Sequence, residues 1–226
     1  MYLPKPFVND DLALLHDLIE RRGFGLLIVP RAPVGAHLDK RAGIRPRDGA
    51  PDVAHIPFVL DRGEGKNGRL RGHFARPNPI WRAFDGKAEA LAVFAGPDTY
   101  ISPDWYATPD QVPTWNYIAV HAAGRPRVME DDRNVQRLLE DLSAQSEARL
   151  PGKKPWTVDK LPAEVYARMR QGIVAFDLPI ERIEGKWKLN QNRAAADRLG
   201  VIAALETRED ANARAIARAM RRLPKT

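Results

Sequence analysis

A short segment late in the chain combines cations and amides at high density. The stretch IEGKWKLNQNR, residues 183–193, places three cations and three amides within eight residues, around one tryptophan. These residues are Lys186, Lys188, Asn190, Gln191, Asn192 and Arg193. Because alternate residues of a strand point to one face, the two lysines could bind one anion together, while the amides could read a polar ring edge. The alternative is that Asn190 caps the following helix.

A second polar segment, GHFARPNP at residues 72–79, joins a predicted strand to a turn. The strand would deliver His73 and Arg76 to a turn that two prolines fix, with Asn78 between them. A guanidinium forks onto two oxygens, so Arg76, Asn78 and the turn amides could cradle a phosphate. The alternative is a well-capped turn without a ligand.

Two Trp–Tyr pairs form the third feature. They occur in SPDWY (102–106) and VPTWNY (112–117), each shortly after a proline, in a chain with five tryptophans. Aromatic faces can sandwich a flat ring, and they can equally form a core or a subunit interface.

Several other chemistries lack support in the sequence. The absence of cysteine excludes disulfides, thiolate metal sites and a cysteine nucleophile. His55, His73 and His121 show no metal-ligand spacing, so no metal site is predicted. The G-x-G-x-x-G match at residues 63–68 precedes a strand instead of a helix, which predicts a hairpin and not a dinucleotide site. No residue is assigned a catalytic role.

Charge and hydropathy limit the possible partners and the cellular location of the protein. The net charge of +7 favours anionic partners, including nucleic acid and phosphorylated cofactors, although a solvated basic surface is the simpler explanation. No apolar run reaches about 18 residues, so no membrane span is predicted. The N-terminal MYLPKPFVND lacks the regions of a signal peptide, and we expect a cytoplasmic protein.

Periodicity and turn residues predict strands in close succession with helices at both ends. Helices are predicted over residues 9–23, 131–150, 162–170, 191–200 and 207–222, the first capped by Asn9 and ended by Gly23. Strands are predicted over residues 25–30, 53–61, 69–75, 89–95, 99–102, 173–185 and, as two strands, 114–130. Residues 31–52 read as a long loop or insertion. This order is typical of an α+β fold with an antiparallel sheet or small barrel.

Six segments in chain order resemble one known family. They are MYLPKPF, AHIPFVLD, LRGHFARPNPIW, VFAGPDTYISPDWY, VPTWNYIAVHAAG and RIEGKWKLNQNRAAADRLGVIAAL. The chain resembles the PaiB family of FMN-binding negative transcriptional regulators over nearly its whole length. The resemblance implies a single domain, residues 1–226: a Greek-key-like FMN-binding split β-barrel with peripheral helices and a helical C-terminal segment at 190–226. The chain departs from the family at Asn190 and Ala54, where serine and threonine are usual.

The resemblance also implies a homodimer with FMN at the subunit interface. The predicted FMN contacts rest both on the family resemblance and on the polar and aromatic segments described above. They are His55, His73, Arg76, Asn78, Trp115, Asn116, Lys186, Lys188, Gln191 and Asn192. The implied function is negative regulation of transcription. An FMN-dependent oxidoreductase or flavin reductase acting on a small molecule is the alternative. Direct DNA binding is a third hypothesis, through the basic helices near 191–222, although no helix-turn-helix is evident.

Overall fold

The computed structural model describes residues 1–30, 50–84 and 86–223. They form two compact units. The first unit contains Met1–Leu18, Phe94–His121 and the segment from Glu184 onwards; the second contains Ile19–Val93 and Ala122–Ile183. The loop or insertion predicted at 31–52 falls mostly on residues 31–49, outside the described residues.

Ten strands and five α-helices are defined within the described ranges. The strands are β1 Val8–Asn9, β2 Phe24–Val29, β3 Asp52–Pro57, β4 Val59–Asp61, β5 Arg69–Ala75, β6 Ala90–Ile101, β7 Thr114–Gly124, β8 Arg127–Val128, β9 Ile173–Pro179 and β10 Arg182–Lys188. The helices are α1 Leu12–Arg22, α2 Asp132–Glu147, α3 Ala163–Gln171, α4 Ala195–Glu206 and α5 Ala211–Arg221. Short 3-10 turns occupy Lys5–Phe7, Pro79–Ala83, Pro103–Trp105 and Val158–Lys160.

The first unit packs its C-terminal helices with strands in the order β1-β10-β7-β6. The antiparallel pairing of β1 with β10 sets Val8 opposite Lys186 and Asn9 opposite Gly185. Helix α5 is strongly amphipathic, because its apolar residues recur at helical spacing and are buried, while its arginines lie on the other face. Its buried residues are Ala213, Ile216, Ala217 and Met220.

The second unit contains two groups of antiparallel strands. Strand β2 pairs with β3 and with the first part of β6, and a four-stranded sheet runs in the order β4-β5-β9-β8. The core of that sheet stacks Phe74 on Phe176, with ring centroids 5.2 Å apart, and sets Phe58 edge-on to Phe176. Helix α2 adds Leu138 and Leu142 to a neighbouring apolar cluster. The amphipathic pattern predicted for this helix is therefore confirmed.

The ends of helix α1 follow local rules, with one correction. Gly23 has φ +61° and its N–H donates to the Ile19 carbonyl, so the predicted left-handed termination is confirmed. The cap predicted at Asn9 is wrong by two residues. The Asp11 carboxylate accepts from the backbone N–H groups of Ala13 and Leu14, and Asn9 accepts from that of Asp11.

The glycine-rich turn at 63–68 is a hairpin, as predicted. Strands β4 and β5 pair antiparallel with Asp61 opposite Arg69, and Gly65 and Gly68 have positive φ values. A strand and not a helix follows, so the turn lacks the helix N-terminus that a dinucleotide pyrophosphate needs.

Three predictions placed the ends of strands wrongly: two strands predicted as continuous are divided, and one predicted turn lies inside a strand. The single strand predicted at 53–61 divides at Phe58, whose N–H donates to the Gly23 carbonyl. The turn predicted at Gly96–Asp98 lies inside continuous strand β6. The long strand predicted at 173–185 is two strands, because Ile180 and Glu181 donate to the carbonyls of Gly68 and Ala123 in place of a ladder partner.

Helix α4 also begins at Ala195, later than predicted. Among the described residues, no helix combines the length and apolar character that a membrane span requires. Within the same ranges, no group of three or more histidine and acidic residues is arranged to hold a metal ion.

Candidate functional site

Strand β10 holds Lys186 between two aromatic rings. The Lys186 ammonium lies 5.4 Å from the ring centroids of both Tyr2 and Tyr117, and Nζ donates to the Tyr2 carbonyl at 2.9 Å. The residue is only 7% exposed. Cation–π contacts are stronger when they are desolvated, so this ammonium is held in a fixed position.

Lys188 lies two residues further along the same strand. Its Nζ donates to the Thr114 hydroxyl at 2.6 Å. Burial lowers the pKa of Lys188, Tyr117 raises it in part, and the positive charges of Lys186 and Arg193 lower it further. Burial is thus the main cause of the lowered pKa, and the two neighbouring cations add to it.

Arg193 completes a set of three cations, called here the basic cluster: Lys186, Lys188 and Arg193. The Arg193 guanidinium lies 5.2 Å from the Tyr106 ring centroid and donates to the Gln111 side-chain oxygen. Within the part of the chain that the structure describes, no member of the basic cluster forms an ion pair with a carboxylate. Arg193 also interacts electrostatically with Asp197, whose pKa its charge helps to lower. Three cations near one such carboxylate leave the basic cluster with net positive charge, which would attract an anion.

The amides of the segment shape the turn that follows β10. Asn190 adopts φ +60° and donates from its amide to the Tyr106 hydroxyl at 3.1 Å. Gln191 accepts from the Leu189 N–H and donates to the Trp187 carbonyl, and Asn192 is exposed. Asn190 is not the helix cap that the alternative predicted, since α4 begins five residues later. The two inner amides hold the turn that carries Arg193.

A shallow aromatic groove lies in the same unit. The groove has a volume of 280 Å³, and its wall includes Gly96, Asp98, Trp115 and Tyr117. Trp115 is 55% exposed and meets Tyr100 edge-on at 6.1 Å. A Cβ at Gly96 would come within 2.9 Å of the Ile118 carbonyl, so glycine permits this close approach of backbone. Tyr117 belongs both to this groove and to the surroundings of Lys186.

Asn116 points away from the groove. It has no exposed surface, and its amide nitrogen lies 3.6 Å from the Met220 sulfur on α5. Side chains alternate along a strand, so Trp115 and Tyr117 share one face of β7 and Asn116 occupies the other. In this structure Asn116 packs against a helix, and its predicted contact with a ligand ring stays a prediction.

The polar residues of the second unit are mostly engaged with backbone. Arg76 donates from its guanidinium to the carbonyls of Gln171 and Ile173, both at 2.7 Å. Asn78 accepts from the Ile80 N–H and caps the 3-10 turn Pro79–Ala83. These contacts correspond to the well-capped turn that the sequence offered as the alternative to a phosphate cradle.

The two histidines of the predicted site lie in different surroundings within that unit. His55 is exposed on β3 and stacks on Phe24, with ring centroids 6.3 Å apart. His73 lines a cavity, and burial lowers its pKa. The ten predicted residues thus divide into six in the first unit and four in the second.

The list of predicted FMN contacts lacks two aromatic residues of the first unit, although one of them, Tyr117, belongs to the Trp–Tyr pair of VPTWNY. Tyr117 follows Trp115 by two positions, so strand alternation could have placed it on the same face as Trp115. Tyr2 gave no local signal, because it approaches Lys186 only through the pairing of β1 with β10, which are far apart in the chain.

Comparison with known proteins decides the family. Residues 1–182 match the family described as "Putative FMN-binding domain". The chain is 31% identical to the protease synthase and sporulation protein PAI 2 of Bacillus subtilis, over 97% of this chain and 96% of that protein. The chain belongs to the PaiB family. As a family member it is a flavin-binding protein, and the predicted resemblance is confirmed.

Solved structures similar to this PaiB-family chain support the fold. A conserved hypothetical protein of Mycobacterium tuberculosis matches with a TM-score of 0.54 at 11% identity, covering 85% of this chain and 92% of that chain. The FAD and heme binding protein of Mycobacterium smegmatis matches with a TM-score of 0.51 at 17% identity, covering 85% and 78%. The predicted α+β class with an antiparallel split β-barrel is confirmed.

Proposed function

We propose that the protein binds FMN through its first unit, with the phosphate on the basic cluster and the flat ring in the aromatic groove. The observation that carries this proposal is the presence, beside an aromatic surface, of three cations that form no ion pair with a carboxylate in the described chain. A phosphomonoester carries about −1.5 to −2 charges at pH 7, which matches such a cluster. Tyr117 links the two halves of the proposed site.

The residues present fit the parts of FMN. Lys188 and Arg193 would hold the phosphate, and buried Lys186 would add positive charge without contacting it. Trp115 and Tyr117 would line the ring. Exposed Asn192 is available to the polar ribityl chain. When bound, FMN supplies reversible one- and two-electron transfer.

Five residues of the sequence prediction are left out of this proposed site, among them Asn116, which packs against Met220. Arg76 and Asn78 already bond backbone groups, His55 stacks on Phe24, and His73 lines an apolar cavity. Gln191 contributes indirectly, because its side chain fixes the turn between the cations.

We further propose a homodimer with FMN at its interface. Trp115, Tyr100 (42% exposed) and Val112 present apolar surface in the first unit. Exposed aromatic residues are enriched at protein interfaces, and a second copy would cover them together with a bound ring.

The proposed biological role is negative regulation of transcription. The similar Bacillus subtilis protein is named for protease synthesis and sporulation, and the net charge of +7 suits an interaction with DNA. Selection from a random duplex library should enrich one sequence motif, with binding that weakens steeply as salt rises. A library that shows no enrichment, together with FMN-dependent consumption of NADH or NADPH, would favour the oxidoreductase alternative.

The visible absorbance spectrum tests the flavin proposal first. The purified protein is incubated with FMN and passed through a desalting column. We expect the wild type to retain about one FMN per chain, as a single high-affinity site requires. A colourless protein after desalting would contradict the proposal.

A further inference from the structure

The second unit contains a cavity that the proposed flavin site does not use. Its volume is 740 Å³, within the range of about 300–1,000 Å³ typical of small-molecule sites. Helix α2 forms one wall with Leu139 and Leu142, and the segment from Trp156 to Ile173 forms the other. The lining is predominantly apolar, as expected of a pocket that binds its ligand by removing apolar surface from water.

Two polar atoms in the cavity lining lack a hydrogen-bond partner. They are Nδ1 of His73 and the hydroxyl of Tyr166, both buried and unpartnered within the described residues. A buried polar atom without a partner costs roughly 1–3 kcal/mol, so a ligand group that pairs with one would bind favourably. The two side chains thus mark where a ligand would place a polar group.

Both side chains are uncharged near neutral pH. Burial lowers the pKa of His73 below its ordinary value of 6.5, so its imidazole is neutral. Burial and then Glu140 raise the pKa of Tyr166 above 10.0, so its phenol keeps its proton. A neutral imidazole and a phenol pair well with a hydroxyl or carbonyl group.

The charged groups around the cavity are already engaged. Arg170 forms an ion pair with Asp132 at 2.8 Å, and Glu140 accepts from Gln136. Glu147 accepts from Lys153 and from the Trp156 N–H. An anionic ligand would be desolvated here without a free cation in the described lining, and it would also face the carboxylates of Glu140 and Glu147, which is costly.

We propose that this cavity binds an uncharged, mainly apolar small molecule whose hydroxyl or carbonyl group pairs with His73 or Tyr166. This ligand differs in class from FMN, since the phosphate of FMN would find no free cation in the lining. The cavity is therefore a second ligand site, in addition to the proposed flavin site.

The neutral carbonyl-bearing dye Nile red is the first probe. Titration of the full-length protein should give saturable fluorescence enhancement. The dye should also shift the Trp156 indole N–H resonance, which the Trp156→Phe variant identifies by its loss. The anionic dye 1-anilinonaphthalene-8-sulfonate should bind at least tenfold more weakly. Absence of saturable Nile red binding, or equal affinity for the anionic dye, would overturn the proposal.

Matched variants locate the dye. Ala144 is exposed on α2 at the cavity wall, so Ala144→Trp should fill the cavity and weaken Nile red binding at least tenfold. Arg133→Trp, at an exposed residue of the same helix outside the lining, should change it less than twofold. Tyr166→Phe should weaken binding about two- to tenfold through one lost hydrogen bond. Unchanged binding by Ala144→Trp would place the dye elsewhere and overturn the proposal.

FMN retention separates the two sites. The cavity variants Ala144→Trp and Tyr166→Phe should retain FMN like the wild type, and excess FMN should not displace Nile red. Loss of FMN in both variants, with displacement of the dye by FMN, would make the cavity part of the flavin site and overturn this inference. A wild type that binds Nile red but no FMN would support the cavity and contradict the flavin proposal alone.

Discussion

The residue type at position 190 has a conformational reason. The φ of +60° at Asn190 lies in the left-handed region, which asparagine adopts more readily than most other residues with a side chain. Its amide also donates to the Tyr106 hydroxyl, so asparagine supplies both a backbone preference and a hydrogen bond. Asparagine at this position therefore suits the turn that carries Arg193.

Substitution of Asn190 separates these two contributions. Asn190→Gly and Asn190→Ala both delete the bond to Tyr106, but only alanine has a Cβ that opposes positive φ. We expect Asn190→Ala to be less stable than Asn190→Gly by about 0.5–1 kcal/mol in urea unfolding. Equal or reversed stabilities would mean that the backbone conformation at Asn190 does not limit this turn.

The lowered pKa of Lys188 predicts the pH dependence of FMN binding. A bound phosphate favours the protonated lysine, and the free protein loses this proton below the ordinary pKa of 10.5. FMN affinity should therefore fall as pH rises towards 10.5, while Lys188→Arg, whose guanidinium stays charged throughout, should hold its affinity. FMN titrations at several pH values measure this, and parallel curves for both proteins would contradict it.

The same pKa shift fixes the sign of the stability change. Below the folded pKa, Lys188 is charged in both states, and the folded state bears the cost of its burial near two cations. As pH rises towards 10.5, the folded state releases its proton first and this cost disappears. The stability of the wild type should rise relative to Lys188→Gln across that window.

At the level of elements, close contact with a neighbouring backbone, and not helix propensity, explains why residue 200 in α4 is glycine. A Cβ there would come within 2.2 Å of the Trp105 carbonyl. Gly200→Ala should therefore destabilise the protein, although alanine in a helix interior ordinarily gains about 1 kcal/mol over glycine. The matched change Ala203→Gly, at an exposed position of the same helix, should also destabilise by about 1 kcal/mol. Thermal unfolding measures both, and a stabilised Gly200→Ala would contradict this packing.

The sequence predicted the elements that local patterns define. Helix α2 carries its apolar residues at helical spacing, and the glycines at 63–68 identified a hairpin. The break between β9 and β10 could not be predicted, because the apolar pattern continues across it. The break depends on distant carbonyls of Gly68 and Ala123.

The candidate site was also predicted only in part, because some of its contacts follow from local spacing and others join residues far apart in the chain. Lys186 and Lys188 were placed on one face by strand alternation, whereas Tyr2 reaches Lys186 from the other end of the chain. The roles of Arg76 and Asn116 depend on the carbonyls near residue 172 and on Met220, which no local spacing reveals.

At the level of the whole molecule, the proposed homodimer predicts a change in mass upon substitution of Trp115. Trp115→Lys should shift sedimentation equilibrium towards the monomer and reduce FMN retention, because a charge at the centre of an apolar interface is costly. Leu199→Lys, at an exposed apolar residue of the same unit, should remain dimeric. A monomeric wild type, or a Trp115→Lys variant that remains dimeric, would contradict the interface.

The comparison of FMN with riboflavin tests the central claim most directly, since the two ligands differ only in the phosphate. If the basic cluster holds that phosphate, the wild type and the control Lys66→Gln, at an exposed lysine of the hairpin, should bind FMN at least about tenfold more tightly than riboflavin. Lys188→Gln should lose most of this preference and keep its riboflavin affinity. Equal binding of the two ligands by the wild type, or an unchanged preference in Lys188→Gln, would show that these cations do not bind the phosphate.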